Sequence, residues 1–492
     1  MIQGTMSNAG KSLITAGLCR VFHQDGYSVA PFKSQNMALN SFITDEGLEM
    51  GRAQVVQAEA ACVAPSVLMN PILLKPVTDM GSQVIVNGEV RGNMKAVEHY
   101  EYKKTLVPDI MKAFETLAGR HDIIVIEGAG SPAEINLKQN DIVNMGLAKM
   151  TDAPVLLVGD IDRGGVFAQL VGTLVLLDND ERDMVKALVI NKFRGDIELL
   201  RPGIAMLEEK SGKPVLGTIP YLRVDIEDED SLTERFHSKP KASALDIAVI
   251  RLPKISNFTD FMALEATDGA GLRYVQNTRE LGRPDMIILP GTKNTIADLK
   301  WIRQNGLEAA ILRLANEGVI IFGVCGGYQM LGQEIRDNEN VEGGGEICGL
   351  GLLPVSTEFF VEKARLRTAG KIVGAQGALS PLNGSSVEGY EIHMGVSRFK
   401  ENVAALAIKE NGGPDGCASG NIAGTYLHGF FDSTDCRTAL IKALCAMKGI
   451  PVLSDSFNFA AYKNGQYNKL ADAVRENLDM DFIYKILDIS RS

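Results

Sequence analysis

The sequence predicts an α/β protein built from two successive domains, and three observations carry that expectation. Short apolar runs ending in glycine or acidic residues alternate with longer helical patterns. The alternation comes in two series, separated by a charged stretch without apolar period. Each series also carries its own chemical motif, a phosphate-type loop in the first and a glycine-flanked cysteine in the second. The first series comprises HDIIVIEGAG (121–130), APVLLVGDID (153–162), KALVINKFRG (186–195) and KPVLGTIPYL (213–222). Continuous apolar strands of this kind suit a parallel sheet covered on both faces, with ligands gathered at the carboxyl ends of the strands. VDIEDEDSLTERFHSKPKAS (224–243) reads as a linker or exposed loop. The second series is LDIAVIRLP (245–253), PDMIILPGTKNT (284–295), GVIIFGVCGG (318–327) and IAGTYLHGFF (422–431). The domains are therefore expected at 1–240 and 245–440, with a helical extension over 441–492 that packs on either one.

Bulk properties narrow the function classes. The 492 residues suit two or three domains, and 45% hydrophobic with 23% charged residues is an ordinary globular balance. A net charge of −11 argues against a broad phosphate-backbone surface, so nucleic acid is not an expected partner, while a local basic pocket for a small anion stays compatible. The seven cysteines form no CxxC pair and fit neither a disulfide framework nor a zinc ribbon, as in a reducing cytosol. No signal peptide and no run of about 18 apolar residues is present, so the expectation is a soluble cytoplasmic protein without a membrane partner.

In GTMSNAGKS, Gly4, Gly10, Lys11 and Ser12 form G-x5-G-K-S, one residue longer than the usual phosphate loop, with Thr5 directly after the first glycine. Glycines let backbone N–H groups turn toward phosphates, and the helix that follows aims its positive end at them. Lys11 can reach the terminal phosphates and the Ser12 hydroxyl can ligate magnesium, so ATP and Mg²⁺ are the expected cofactors. The strand before this loop has almost no length. Glu127, an acid at a strand end followed by small residues, is favoured as a further magnesium ligand over a helix cap. For Asp160 and Asp162 in GDIDRGG the two readings are equal.

Cys325 sits between Gly323 and the pair Gly326–Gly327, the context of a sharp strand-to-helix elbow that projects a nucleophile. The N–H of Gly326 is placed to help hold an oxyanion, and a helix start favours the thiolate. A thiol nucleophile needs a base. Of the six histidines, His428 ends an apolar strand and is favoured. His393 in GYEIHMG is a weaker candidate that binds substrate or satisfies a hydrogen bond. His23 and His121 lack such company, and His99 and His237 lie in polar stretches. Two residues after His428, where a supporting acid would be expected, stands Phe430; the orienting group is left open.

GVCGGYQMLG, PGTKNTIADL and the later LHG resemble a class-I-like glutamine amidotransferase domain of the cobyric acid synthase type, which implies a flavodoxin-like α/β fold. The N-terminal half resembles the dethiobiotin-synthetase-like ATPase fold. PFKSQNMALNS (31–41), EMGRAQVVQAEA (49–60), MNPILLKP (69–76), EGAGSPAEINL and DIDRGGVFA extend the resemblance to the cobyric acid synthase family over at least residues 2 to 431. The resemblance implies ATP- and glutamine-dependent amidation of the b, d, e and g carboxylates of adenosylcobyrinic acid a,c-diamide. In it Cys325 is the nucleophile, His428 the catalytic histidine and Gln329 a contact to the glutamine substrate, with an oxyanion held near Gly291 and Gly326. The cobyric acid branch also lacks the acid that Phe430 replaces. Lys33, Gln35, Asn36 and Asn40 follow a strand and are expected at the corrinoid's polar rim or reacting carboxylate; a polar turn is their alternative reading. A related a,c-diamide synthase is the second enzyme reading. A partitioning-type ATPase switch is disfavoured, because Thr5 stands where such loops carry an additional lysine.

Overall fold

The apolar runs of the first series become parallel strands. The computed structural model describes residues 1–78, 81–227, 236, 243–399, 403–452 and 457–488. His237 and most of the expected linker lie outside the described residues. The chain divides into two units, one of Met1–Ala38, Leu48–Glu227 and Ala461–Ser492, the other of Leu39–Gly47 and Asp228–Ala460. Two features depart from the expected boundaries. A nine-residue segment of the N-terminal half belongs to the second unit, and the C-terminal extension is divided between the two.

In the first unit Ile2–Gly4, Val155–Asp160, Val185–Phe193 and Val215–Pro220 form a parallel sheet in that order. Val29–Phe32 pairs in parallel with Ile123–Ile126, and a parallel bridge from Ile2 to Glu127 joins this pair to the sheet. The first strand is only three residues long because the phosphate loop begins at Gly4. Helix Lys11–Gln24 follows, entered through Gly10 at φ 101°, a left-handed conformation that glycine adopts without strain. A mixed sheet that the sequence reading did not anticipate is made by Gln35–Met37, Ile72–Thr78, Gly81–Val86 and Glu89–Lys95.

The C-terminal helix, Phe459–Asn477, returns to this unit. Tyr467, Leu470, Ala471 and Val474 stand at i, i+3, i+4 and i+7, which puts them on one helical face. They are buried with Ile14, Leu18, Val21 and Phe22. Each large apolar side chain so buried contributes roughly 1.5–3 kcal/mol. Gly17 allows the close approach: a Cβ there would lie 2.6 Å from Val474 Cγ2. Arg52 and Lys463 both pair with buried Glu227, and together they hold its carboxyl down to about 2 against the upward push of burial.

In the second unit the five parallel strands stand in the order Ala270–Val275, Leu245–Ile250, Met286–Leu289, Ile320–Val324, Ile422–Thr425. By chain position this is 2-1-3-4-5, the flavodoxin-like order expected from the sequence, whose ligand crevice lies at the carboxyl ends between the first and third strands. The sheet continues through Pro414–Ser419, Ala405–Lys409 and the long pair Val355–Ile372 and Ser386–Phe399, all antiparallel. Among the described residues no helix is long and apolar enough to cross a membrane.

Candidate active site

Cys325 ends the strand Ile320–Val324 and caps the helix Gly326–Leu331 with φ 51° and ψ −109°. A left-handed φ at a non-glycine residue stores strain of order 1–3 kcal/mol, which the surroundings must impose. They do so through close packing. A Cβ at Gly327 would lie 1.9 Å from the Leu289 carbonyl oxygen, and one at Gly323 would lie 2.6 Å from the Tyr328 nitrogen. The Cys325 N–H donates to Thr425 O at 2.8 Å.

His428 lies three residues past the strand Ile422–Thr425 and is buried. Cys325 lies close enough to it to raise its pKa. On its other side Nδ1 meets Asp260 Oδ2 at 2.7 Å, and Asp260 Oδ1 accepts the Gly429 N–H at 3.1 Å. The carboxylate thus fixes the ring through Nδ1 and leaves Nε2 as the nitrogen that can exchange a proton. Burial disfavours the imidazolium, but Asp260 and Cys325 outweigh it and push the His428 pKa up to about 10. Asp260 was not found by reading the sequence. It lies 168 positions before His428 and follows the first strand of the unit. The NFTDF segment after that strand carried the signal, an acid at a strand's carboxyl end. Phe430 stands where an acid was sought because that position faces the core: its ring packs 4.9 Å from Phe322.

The loops after the first and third strands pair with one another. Ser256 N donates to Gly291 O at 2.9 Å and Lys293 N to Lys254 O at 3.0 Å. This brings Gly291 against the histidine, since a Cβ there would lie 3.4 Å from His428 Cε1. Gly326 faces the same loop; its Cβ would lie 3.1 Å from the Thr292 nitrogen. Gln329 is buried beside them, its Oε1 accepting from Thr295 Oγ1 at 3.1 Å and its Nε2 donating to Tyr426 OH at 3.2 Å. His393 stacks on Tyr426 at 3.7 Å and its Nδ1 bonds Gly395 O at 2.7 Å, contacts that lie apart from the His428–Asp260 pair.

The phosphate loop lies in the other unit. Lys11 folds across Gly4, where a Cβ would lie 3.0 Å from its Cγ, and its Nζ donates to Met6 O and Gly130 O at 2.9 Å. The Thr5 N–H donates to Val158 O at 2.9 Å and its hydroxyl to Gln169 Oε1 at 3.0 Å, so both polar groups of Thr5 have partners in the fold. Buried Glu127 accepts from Ser12 Oγ at 2.8 Å, Lys33 Nζ at 3.0 Å and Gln57 Nε2 at 2.5 Å. Gln57 Oε1, on the same amide group, is a buried acceptor with no partner. Hard oxygen donors beside a phosphate loop suit magnesium, which takes one or two protein groups and completes its shell from phosphates and water. Asp160 instead pairs with Lys192 at 2.8 Å, and Asp162 with Arg194 at 2.8 Å.

The four residues expected at the corrinoid separate. Lys33 contacts Glu127, Gln35 meets His99 Nε2 at 3.0 Å, and Asn36 donates to Gln54 Oε1 at 3.2 Å, all in the first unit. Asn40 belongs to the second unit, where its Oδ1 accepts the Asn257 N–H at 2.8 Å. The sequence grouped them because they are close along the chain; the chain passes from one unit to the other between Ala38 and Leu39.

Comparison with known proteins agrees with both halves. Residues 1–231 match the CobQ/CobB/MinD/ParA nucleotide binding domain, and residues 246–436 match the CobB/CobQ-like glutamine amidotransferase domain. A cobyric acid synthase of Lachnoclostridium phytofermentans is 57% identical, covering 99% of this chain and 98% of the relative. One of Ruminiclostridium cellulolyticum is 58% identical, covering 99% and 96%, and one of Yersinia enterocolitica is 51% identical, covering 99% and 97%. With two domain types matched in order and whole-length identity above half, the chain belongs to the cobyric acid synthase family.

Proposed function

We propose that the chain amidates the b, d, e and g carboxylates of adenosylcobyrinic acid a,c-diamide, with nitrogen from glutamine and activation by ATP, to give adenosylcobyric acid. The observation that carries this reading is the buried Cys325–His428–Asp260 constellation on the same polypeptide as the phosphate loop. A carboxylate resists ammonia because its charge is delocalised and oxide is a poor leaving group. Transfer of the γ-phosphoryl group releases ADP and leaves an acyl phosphate; ammonia then displaces phosphate to form the amide. Lys11 and the amides of the loop from Gly4 to Ser12 hold the nucleotide phosphates, apart from the Thr5 N–H, which is given to Val158 O. Ser12 and Glu127 hold magnesium, which when bound offsets charge on the phosphates. Lys33 is oriented by Glu127, and with Gln35 and Asn36 it meets the corrinoid carboxylate.

Ammonia is scarce at neutral pH because most of it is protonated. Cys325 supplies it by attacking the glutamine side-chain carbonyl once its proton has passed to His428. The backbone amides at Gly326 and around Gly291 receive the oxyanion. His428 returns the proton to the departing ammonia, and then, as base, activates the water that clears the glutamyl thioester. Asp260 stabilises the imidazolium in both halves of this cycle. Gln329 keeps two of its four amide hydrogen-bonding sites for the bound glutamine.

The test is a choice of substrate. Given ATP and glutamine, the protein should use the a,c-diamide and add four amides, as counted by mass spectrometry. Preference for cobyrinic acid itself would favour the a,c-diamide synthase reading and overturn this one.

A further inference from the structure

Asp260 orients His428, and the turn that carries Asp260 is itself held by a distant part of the chain. That turn, Phe258–Phe261, opens on Asn257, which adopts a left-handed φ of 50°. The Asn257 N–H donates to Asn40 Oδ1 at 2.8 Å, and the Ser41 N–H donates to Asn257 Oδ1 at 3.1 Å. Asn257 Nδ2 donates to Tyr390 OH at 3.3 Å, and that hydroxyl donates to Ser41 O at 3.0 Å. Tyr390 in turn stacks on the His428 ring, with centroids 5.2 Å apart and planes 23° from parallel, and the two residues exchange both backbone hydrogen bonds, at 3.1 and 2.8 Å.

The rest of the segment follows the same path. Phe42 meets the Tyr390 ring edge-on at 5.2 Å, and fully buried Ile43 packs with Tyr390 and Ile392. The Ile392 carbonyl lies 3.7 Å from Cys325 Sγ. Arg367 covers Phe42 at 5.2 Å and pairs with Asp45 at 3.3 Å. Asn40, Ser41 and Asn257 are each at most 3% exposed, so a lost partner would leave a buried polar group unsatisfied rather than returned to water.

We propose that residues 39–47 are a positioning strap for the glutaminase triad: Asn40 and Ser41 fix Asn257 and with it Asp260, while Ser41 and Phe42 fix Tyr390 and with it His428. This rests on the reading of Cys325, His428 and Asp260 as a glutaminase. Tyr390 and Asn40 are positioning residues; neither meets the reacting atoms. The strap is part of the N-terminal half by sequence, and both its ends join the first unit, yet the hydrogen bonds of Asn40 and Ser41 with Asn257 and Tyr390 serve the second.

The test uses the full chain and measures glutamine hydrolysis alone. Tyr390→Phe keeps the ring stacked on His428 and removes the hydroxyl that joins Ser41 to Asn257. Small misplacements of catalytic groups can cost on the order of 10²-fold in rate, so a fall in kcat of about tenfold or more is expected, with KM unchanged and the melting temperature lowered by only a few degrees, because Asn257 Nδ2 and Ser41 O lose a buried partner. Ammonium-driven synthesis by Tyr390→Phe should stay at the unaltered rate. Asn40→Ala should lower glutaminase kcat in the same way, and the double variant should be little worse than the weaker single one, because both act on one turn. Wild-type kcat in Tyr390→Phe would overturn the strap, as would an equal loss of ammonium-driven synthesis, which would mark general unfolding. If Asn40→Ala does not fold, Tyr390→Phe decides alone. Failure of the unaltered chain to hydrolyse glutamine would overturn the glutaminase reading, and the strap with it.

Discussion

Replacing Asp260 by Asn removes the charge beside His428 and keeps the shape. The carboxylate lies 2.7 Å from Nδ1 and belongs to a turn packed into the core, so the isosteric amide should leave the fold intact. The pKa of His428 stands at about 10 against an ordinary 6.5, with Asp260 and Cys325 raising it and burial lowering it. At 1.36 kcal/mol per pH unit that difference is about 5 kcal/mol, to which Asp260 contributes at least half. Losing about 2–3 kcal/mol of imidazolium stabilisation corresponds to a fall in glutaminase kcat of roughly 30- to 150-fold. The pH profile should move as well. The productive pair is thiolate with imidazolium, so activity declines as pH rises through the His428 pKa; without the carboxylate that alkaline limb shifts to lower pH. Glutamate release from glutamine, followed across pH, measures both effects, while ammonium-driven synthesis should be unaffected. Full glutaminase activity with an unmoved alkaline limb in Asp260→Asn would refute the role of the carboxylate.

Three further outcomes are expected. Cys325→Ala should abolish glutamine-driven synthesis and spare synthesis from added ammonium, whereas Lys11→Ala should damage both; assays with the two nitrogen sources separate them. Gly327→Ala places a Cβ 1.9 Å from the Leu289 carbonyl, a clash with backbone that should destabilise the second unit by on the order of 2–4 kcal/mol and lower its melting temperature. Glu227 is held at about 2 against an ordinary 4.5 by Arg52 and Lys463. A depressed carboxyl contributes stability that is full above pH 4.5 and lost as pH falls through about 2. Glu227→Gln should therefore be destabilised at neutral pH by roughly 1.5–3 kcal/mol, since Arg52 and Lys463 then lose this charged partner and keep Glu59, and should lose less further stability than the unaltered chain over that acid window, as urea titrations would show.

The strands were legible because a parallel sheet buried on both faces demands continuous apolar runs, and the eight that the sequence displays are eight of the observed parallel strands. Cys325 and His428 were legible for a local reason: a glycine-flanked elbow and a strand end mark themselves within ten residues. Asp260 was not, because its partnership spans 168 positions and nothing near His428 points to it. Asn40 was read with Lys33 and Asn36 for the same reason, since sequence neighbours look like one site until the chain is seen to change unit. The return of Tyr467, Leu470 and Val474 to the helix Lys11–Gln24 was likewise open: an amphipathic face shows that it must be covered, not by what.

The central claim is that nitrogen freed at Cys325 ends in amides on carboxylates activated by ATP. Glutamine labelled with ¹⁵N in its side-chain amide, supplied with ATP and the corrinoid a,c-diamide, tests it directly. Every amide gained should carry ¹⁵N and accompany one ATP cleaved. Unlabelled amides, or amides that accumulate while ATP stays intact, would contradict it.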